Sequence, residues 1–222
     1  MGEFRSVVFQ PDVVKCTSGS VYAEFGNTKV TVAVYGPRAS EKRSGFSEAG
    51  RLTCDIKYAT YEPQAELQGF QEKQLSSLMQ RALEPAVRLE SFPKAQVDIY
   101  ASVHESGGSD LAVVVTAASI ALALAGISMF DLVACCRVSL AGTRVALDPS
   151  SAEEASEDAS MLIAMMPQRN EVTQIHLQGT WVSKSLSAAL DLGMGGCLQL
   201  DTAMRDCIAS HSADNVAALA NP

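Results

Sequence analysis

Apolar and polar positions alternate through residues 19–34 (GSVYAEFGNTKVTVAV). Val21, Ala23 and Phe25 share one beat, Gly26-Asn27 supplies a turn, and the alternation resumes over 29–34. A period of two broken by a Gly-Asn turn predicts a β-hairpin. A weaker apolar start covers 7–14, and 51–58 reads as another strand. Between hairpin and strand, 36–50 is a loop rich in serine, glycine and charge. It holds Arg38, Lys42 and Arg43, with Arg51 just beyond.

The period then changes. Leu75, Leu78, Met79, Ala82, Leu83, Ala86 and Val87 recur at spacings of three and four, which predicts a helix over 71–89. Pro85 falls inside it and predicts a kink, and Pro93 lies just past its end. Residues 95–103 alternate as a strand. The run 131–140 (DLVACCRVSL) is apolar almost throughout, as expected of a central strand, and 144–147 pairs with it as a hairpin. Further strands are expected at 161–166 and 172–177, around a turn at 167–170. A long amphipathic helix is expected over 182–211, with Leu186, Leu190, Met194, Cys197, Leu198, Met204, Cys207 and Ile208 on one side. Gly193, Gly195 and Gly196 weaken its middle.

At the centre lies a run from Leu111 to Phe130 without one charged residue, bracketed by Asp110 and Asp131 and opened by Gly107-Gly108-Ser109. Ser109 suits an N-cap, Asp110 the positive end of a helix, and Gly126 the position after its last turn. A helix over 110–125 that is apolar nearly all round is a buried helix. It does not read as a membrane span. Gly126 divides the run, Thr116 and Ser119 interrupt it, and its flanks are acidic where a span has basic residues on one side. No membrane partner is expected. The order of elements predicts an α+β fold in which helices pack on mixed β-sheets, as a single domain over residues 1–222.

Composition narrows the chemistry. With 47% hydrophobic and 19% charged residues the chain is globular, and its net charge of −8 argues against affinity for polyanions by the surface as a whole. Any nucleic-acid contact needs a local positive patch or a partner. The cysteines at 16, 54, 135, 136, 197 and 207 show no C-x-x-C spacing, which suits buried free thiols in a reducing compartment. His104, His176 and His211 have no partner pattern and read as structural or surface residues, so neither a metal nor a cofactor is expected. Ser106-Gly107-Gly108-Ser109 lacks the spacing of a serine-hydrolase elbow. The acidic run 150–160 reads as a solvated turn, and Trp181 as a packing anchor. The N-terminus carries no apolar signal-peptide core.

Three motifs in order carry a resemblance. GSVYAEFGNTKVTVAV at 19–34 resembles the N-terminal hairpin of the RNase PH family. Ser106-Gly107-Gly108-Ser109 with its apolar helix, followed by AGISMFDLV at 125–133, resembles the family's core motif. Leu147-Asp148-Pro149, the acidic stretch and a strand ending Met165-Met166-Pro167 complete it. Residues 82–99 and 147–156 are most similar to the mRNA-transport-regulator branch of eukaryotic exosome ring subunits. The resemblance implies an RNase PH-like fold and a heteromeric ring of related subunits. It also implies RNA-binding cap subunits, RNA threading the ring channel, and a nuclear, nucleolar and cytoplasmic location. Relatives usually carry an arginine-rich leading arm, so a shortened or altered start is expected here.

Phosphorolysis brings two anions together, so it needs cations and N–H donors, with carboxylates to hold a metal or steer protons. The resemblance implies an arginine directly after the Gly-Gly-Ser; this chain has Asp110. A carboxylate there repels phosphate by about 4 kcal/mol at roughly 4 Å and an effective dielectric near 20. The family's aspartate pair falls on Glu154 and Ser160, and only the first keeps a carboxylate. These degenerate positions predict a catalytically inactive homologue that supports 3'-to-5' RNA degradation and processing by other nucleases. The alternatives are a phosphorolytic exoribonuclease rearranged around Glu154 and Asp158, and a stand-alone small-molecule enzyme. Candidate RNA contacts are Lys57, Lys73 and Arg81, which the resemblance puts near the RNA path, and Arg38 and Arg43 in the basic loop.

Overall fold

The computed structural model describes residues 4–39, 49–59 and 65–220. Strands β1 (Val7–Pro11), β2 (Gly19–Phe25), β3 (Thr28–Ala39), β4 (Arg51–Tyr58) and β5 (Ala95–Glu105) form one sheet in the order β1-β2-β3-β5-β4. The hairpin is antiparallel about Gly26-Asn27, with Phe25 opposite Thr28, and β4 runs parallel to β5. Strands β6 (Ala134–Ala141), β7 (Arg144–Leu147), β8 (Ala159–Met166) and β9 (Glu171–Gly179) form a second, antiparallel sheet in the order β7-β6-β8-β9. The described residues also include four α-helices: α1 (Ala65–Leu83), α2 (Asp110–Leu124), α3 (Ser151–Glu154) and α4 (Ser183–Ala220).

Helix α2 lies against β2 and β3 of the first sheet and β6 of the second, and every residue from Ala112 to Leu122 is buried. The two polar side chains within this buried stretch are used inward. Thr116 donates to the Ala112 carbonyl at 2.8 Å and accepts the Cys135 N–H at 3.2 Å, while Ser119 accepts the Val133 N–H at 2.7 Å. A hydroxyl that serves a neighbouring strand is satisfied without water, so the helix stays buried at no unpaired cost. Gly19 permits the close approach of β2: a Cβ there would stand 2.5 Å from the Ala121 carbonyl oxygen.

The two sheets are also joined at the start of α2 by Arg5. Its guanidinium meets both carboxylate oxygens of Asp148 at 2.8 Å. It also donates to the carbonyls of Gly107 at 2.9 Å and Gly108 at 3.0 Å. Thr28 adds a hydrogen bond to the Gly108 carbonyl at 2.7 Å. Asp148 is 3% exposed, so its charge depends on this one bidentate partner.

Several boundaries differ from those expected. Helix α1 begins six residues before position 71 and stops at Leu83, because Pro85 opens a separate 3-10 turn, Glu84–Ala86, instead of kinking a continuing helix. Strand β6 starts at Ala134, since Asp131 leaves the sheet to accept from Gln168 and Arg205. Leu198, expected on the buried side of α4, is 53% exposed, and Leu200 is buried instead. Two of the three glycines of α4 are contact points: a Cβ at Gly193 would lie 2.6 Å from Ile163 Cδ1, and one at Gly196 2.9 Å from Leu147 Cδ1, while Gly195 has open space around it. Cys54, Cys135, Cys136 and Cys197 are buried free thiols; Cys16 is exposed. No helix among the described residues is long and apolar enough to cross a membrane.

Two predictions follow from this packing. Gly19→Ala is expected to destabilise the fold by about 1–3 kcal/mol in urea denaturation, because backbone cannot yield as a side chain can. Gly69→Ala, in α1 with open space around it, is expected to stabilise by about 0.5–1 kcal/mol. Equal effects at the two sites would refute the steric account. Arg5→Ala leaves a buried carboxylate and two loop carbonyls without their donor, so a loss of about 3–5 kcal/mol is expected in the same assay.

Candidate functional site

The site forms where the Gly107-Gly108-Ser109 turn enters α2. Gly108 has φ +103°, and a Cβ there would stand 2.5 Å from the Pro149 carbonyl oxygen, so only glycine lets the turn lie against the 148–151 segment. Ser109 sits at φ 58° and caps nothing with its side chain; its hydroxyl donates to Pro149 O at 3.1 Å. This corrects the expectation that Ser109 is a side-chain N-cap.

The N–H groups at this helix start suit an anion. The anion present is the protein's own. Glu154 Oε1 accepts the Ser109 N–H at 2.7 Å. The same oxygen lies 3.0 Å from Arg137 Nη1. Arg137 reaches in from β6, pairs with Glu157 at 2.5 Å and donates to the Ser160 hydroxyl at 3.4 Å. Burial pushes the Glu154 carboxyl above its usual range and the charges of Asp110 and Glu157 add to this, while the Ser109 N–H and Arg137 pull the other way.

Asp110, the first residue of α2, accepts from Ser106 Oγ at 2.6 Å and from Tyr58 Oη at 3.1 Å. Its other oxygen is buried and has no hydrogen-bond partner among the described residues. Burial and the Asp110 charge raise the Tyr58 phenol well above its ordinary range, so it remains a donor. Next to the cluster a cavity of about 70 Å³ opens between Leu75, Leu78 and Leu111 on one side and Arg137, Ser160, Leu162, His176 and Gln178 on the other.

The three positions singled out from the sequence, Asp110, Glu154 and Ser160, thus share one site. Asp158 does not join it, because its carboxylate accepts the Gly142 N–H at 2.7 Å. Arg137, Glu157, Tyr58 and Ser106 were missed. A signal for Arg137 existed: it is the only cation in the apolar run 131–140, and a charge in a central strand must find a partner.

The candidate RNA contacts do not form one patch. Arg38, at the end of β3, is paired with Asp98 at 2.5 Å, and Arg51 stands beside it, since both residues neighbour Gln96 of β5. Lys57, at the far end of β4, is paired with Glu72 at 2.8 Å. Lys73 and Arg81 are exposed on α1. Arg43 and Lys42 lie outside the described residues. Of the histidines, His104 contacts Thr31 at 2.8 Å and His211 pairs with Asp12 at 3.0 Å. No group of three metal-ligating side chains occurs among the described residues.

Comparisons with known proteins agree with this layout. The model of the 3' exoribonuclease family, RNase PH, matches with its first domain over residues 3–128 and its second over 131–196. The chain is 43% identical to the exosome complex component RRP41-like of Arabidopsis thaliana, over 92% of this chain and 80% of that protein. It is 39% identical to the exosome complex component MTR3 of Homo sapiens, over 88% and 79%. The rice (Oryza sativa) Rrp46 structure superposes with a TM-score of 0.86 over 94% of this chain and 96% of that one, at 21% identity. The Archaeoglobus fulgidus exosome with RNA bound to the active site gives 0.76 over 89% and 87%, also at 21%. With both domain models of the family matched in order across residues 3–128 and 131–196, the chain belongs to the RNase PH 3' exoribonuclease family.

Proposed function

We propose that this protein is a non-catalytic subunit of the RNA exosome core ring. In this reading it assembles with other RNase PH-like subunits beneath RNA-binding cap subunits. It supports degradation and processing of RNA that threads the channel to a nuclease elsewhere, in the nucleus, nucleolus and cytoplasm. One observation carries the loss of catalysis: the helix start that would receive phosphate has its Ser109 N–H taken by Glu154, with Asp110 beside it. Inorganic phosphate would have to displace a carboxylate already hydrogen-bonded at 2.7 Å and then sit against a second negative charge. The similarity to exosome subunits across most of the chain supports the ring role.

A second reading has one observation in its favour. Arg137 is a cation within the same cluster, which a rearranged phosphorolytic site needs. Its guanidinium, however, is engaged by Glu154 and Glu157, so it arrives neutralised.

The two readings part in one assay. The purified chain, incubated with single-stranded RNA and inorganic phosphate, is expected to release no nucleoside diphosphates. Asp110→Arg alone is expected to leave it inactive, because Glu154 still holds the Ser109 N–H and Ser160 supplies no carboxylate. Processive release of diphosphates by the unaltered chain would establish the second reading. Co-expression with related ring subunits, followed by native mass spectrometry, is expected to give a closed hetero-oligomer. A chain that stays alone in that experiment would count against the ring role.

A further inference from the structure

At the opposite end of α2 from the degenerate site, Phe130 stands 46% exposed with two guanidiniums over its ring. Arg88 lies 4.8 Å from the ring centroid and Arg169 5.4 Å from it. The stack follows the C-terminal end of α2, a helix whose fifteen residues span roughly 22 Å at 1.5 Å per residue and whose other end holds Asp110.

Three separate segments build the stack, and hydrogen bonds fix each. The Phe130 N–H donates to Ala86 O at 2.8 Å, and the Arg88 N–H donates to Ser128 O at 2.9 Å. The Arg169 turn is tied by the Gln168 N–H to Asp131 Oδ2 at 2.8 Å. The surrounding charges are unequal in their use. Arg169 is shared with Glu171, and Arg205 with Asp131 and Asp201. Arg88 has no ion-pair partner among the described residues. A guanidinium with no ion-pair partner among the described residues therefore lies over the ring of a partly exposed phenylalanine, in a chain of net charge −8.

We propose that Phe130, Arg88 and Arg169 form a contact for single-stranded nucleic acid, distinct from the Asp110 cluster. A planar guanidinium offers N–H donors at its edge to a phosphodiester and a flat face to a base, and an aromatic ring adds a second stacking surface. An acidic peptide satisfies the charge but leaves the exposed π surface without a matching plane. The inference rests on the chemistry of this patch and not on ring assembly.

The test is a titration of a fluorescein-labelled short oligouridine with the full chain at low salt, read by anisotropy. Binding is expected that weakens with salt, with a shallow slope of about one to two released counterions. Phe130→Leu keeps an apolar side chain but removes the π face, and Arg88→Ala removes the stacked cation. Each is expected to raise Kd about five-fold or more, with Arg88→Lys intermediate. Circular dichroism checks that the variants stay folded. The proposal is overturned by variants that titrate like the unaltered chain. It is also overturned by no binding up to roughly 0.5 mM, beyond the usual non-specific range, or by an oligoglutamate that competes as well as unlabelled oligouridine.

Discussion

The bidentate pair between Arg5 and Asp148 is the interaction on which the rest of the molecule depends. Arg5 precedes the first strand of one sheet, and Asp148 follows β7 of the other. Between them lie the carbonyls of Gly107 and Gly108, which the same guanidinium holds. A buried ion pair gives little net stability on its own, but breaking one is costly, and this one fixes three loops at once. Its consequence is positional. The start of α2, the Pro149 carbonyl and Glu154 are all held within hydrogen-bond distance of Ser109 or its side chain. The site is thereby preorganised, whichever side chains occupy it.

That separation of frame from chemistry leaves the fold independent of which side chains occupy the site. The frame needs Arg5, Asp148, two glycines and a helix of small apolar residues. Position 110 faces Tyr58 and Ser106, so a carboxylate there is accommodated by two donors without disturbing the core. Cluster charge is also locally managed. Three carboxylates, from Asp110, Glu154 and Glu157, are met by one cation, Arg137, and by neutral donors.

Periodic features were legible in the sequence; features set by tertiary partners were not. The hairpin about Gly26-Asn27, the strand Arg51–Tyr58 and the buried helix follow from alternation or from an uncharged run, and the structure has them. The end of α1 was misjudged because apolar spacing continues through Val87, while Pro85 imposes a local geometry that spacing cannot register. Leu198 was misjudged because two glycines draw α4 onto β6 and β8 and set which side faces the sheet. Asp110, Glu154 and Ser160 were located by motif. Their shared partner Arg137 comes from a strand whose pattern spoke only of burial. Lys57 and Arg38 read as candidate RNA contacts in sequence, yet each already has a carboxylate partner that only the register of β3, β4 and β5 with α1 brings near.

The arrangement around Ser109 bears on how firmly the chemistry is closed. An empty anion site can be refilled by one new cation. Here the helix start has an internal occupant, and that occupant is itself held: Glu154 is fixed by Arg137, Arg137 by Glu157, and α3 is started by the Ser150–Glu153 capping box. Removing Asp110 leaves Glu154 in place, and removing Glu154 leaves Arg137 to Glu157 and the like charge at Asp110. Such groups are close enough to couple, so their contributions are not additive. The obstacle to phosphate at this helix start belongs to a network and not to one residue, whereas the glycine turn and the buried helix beneath it are formed without it.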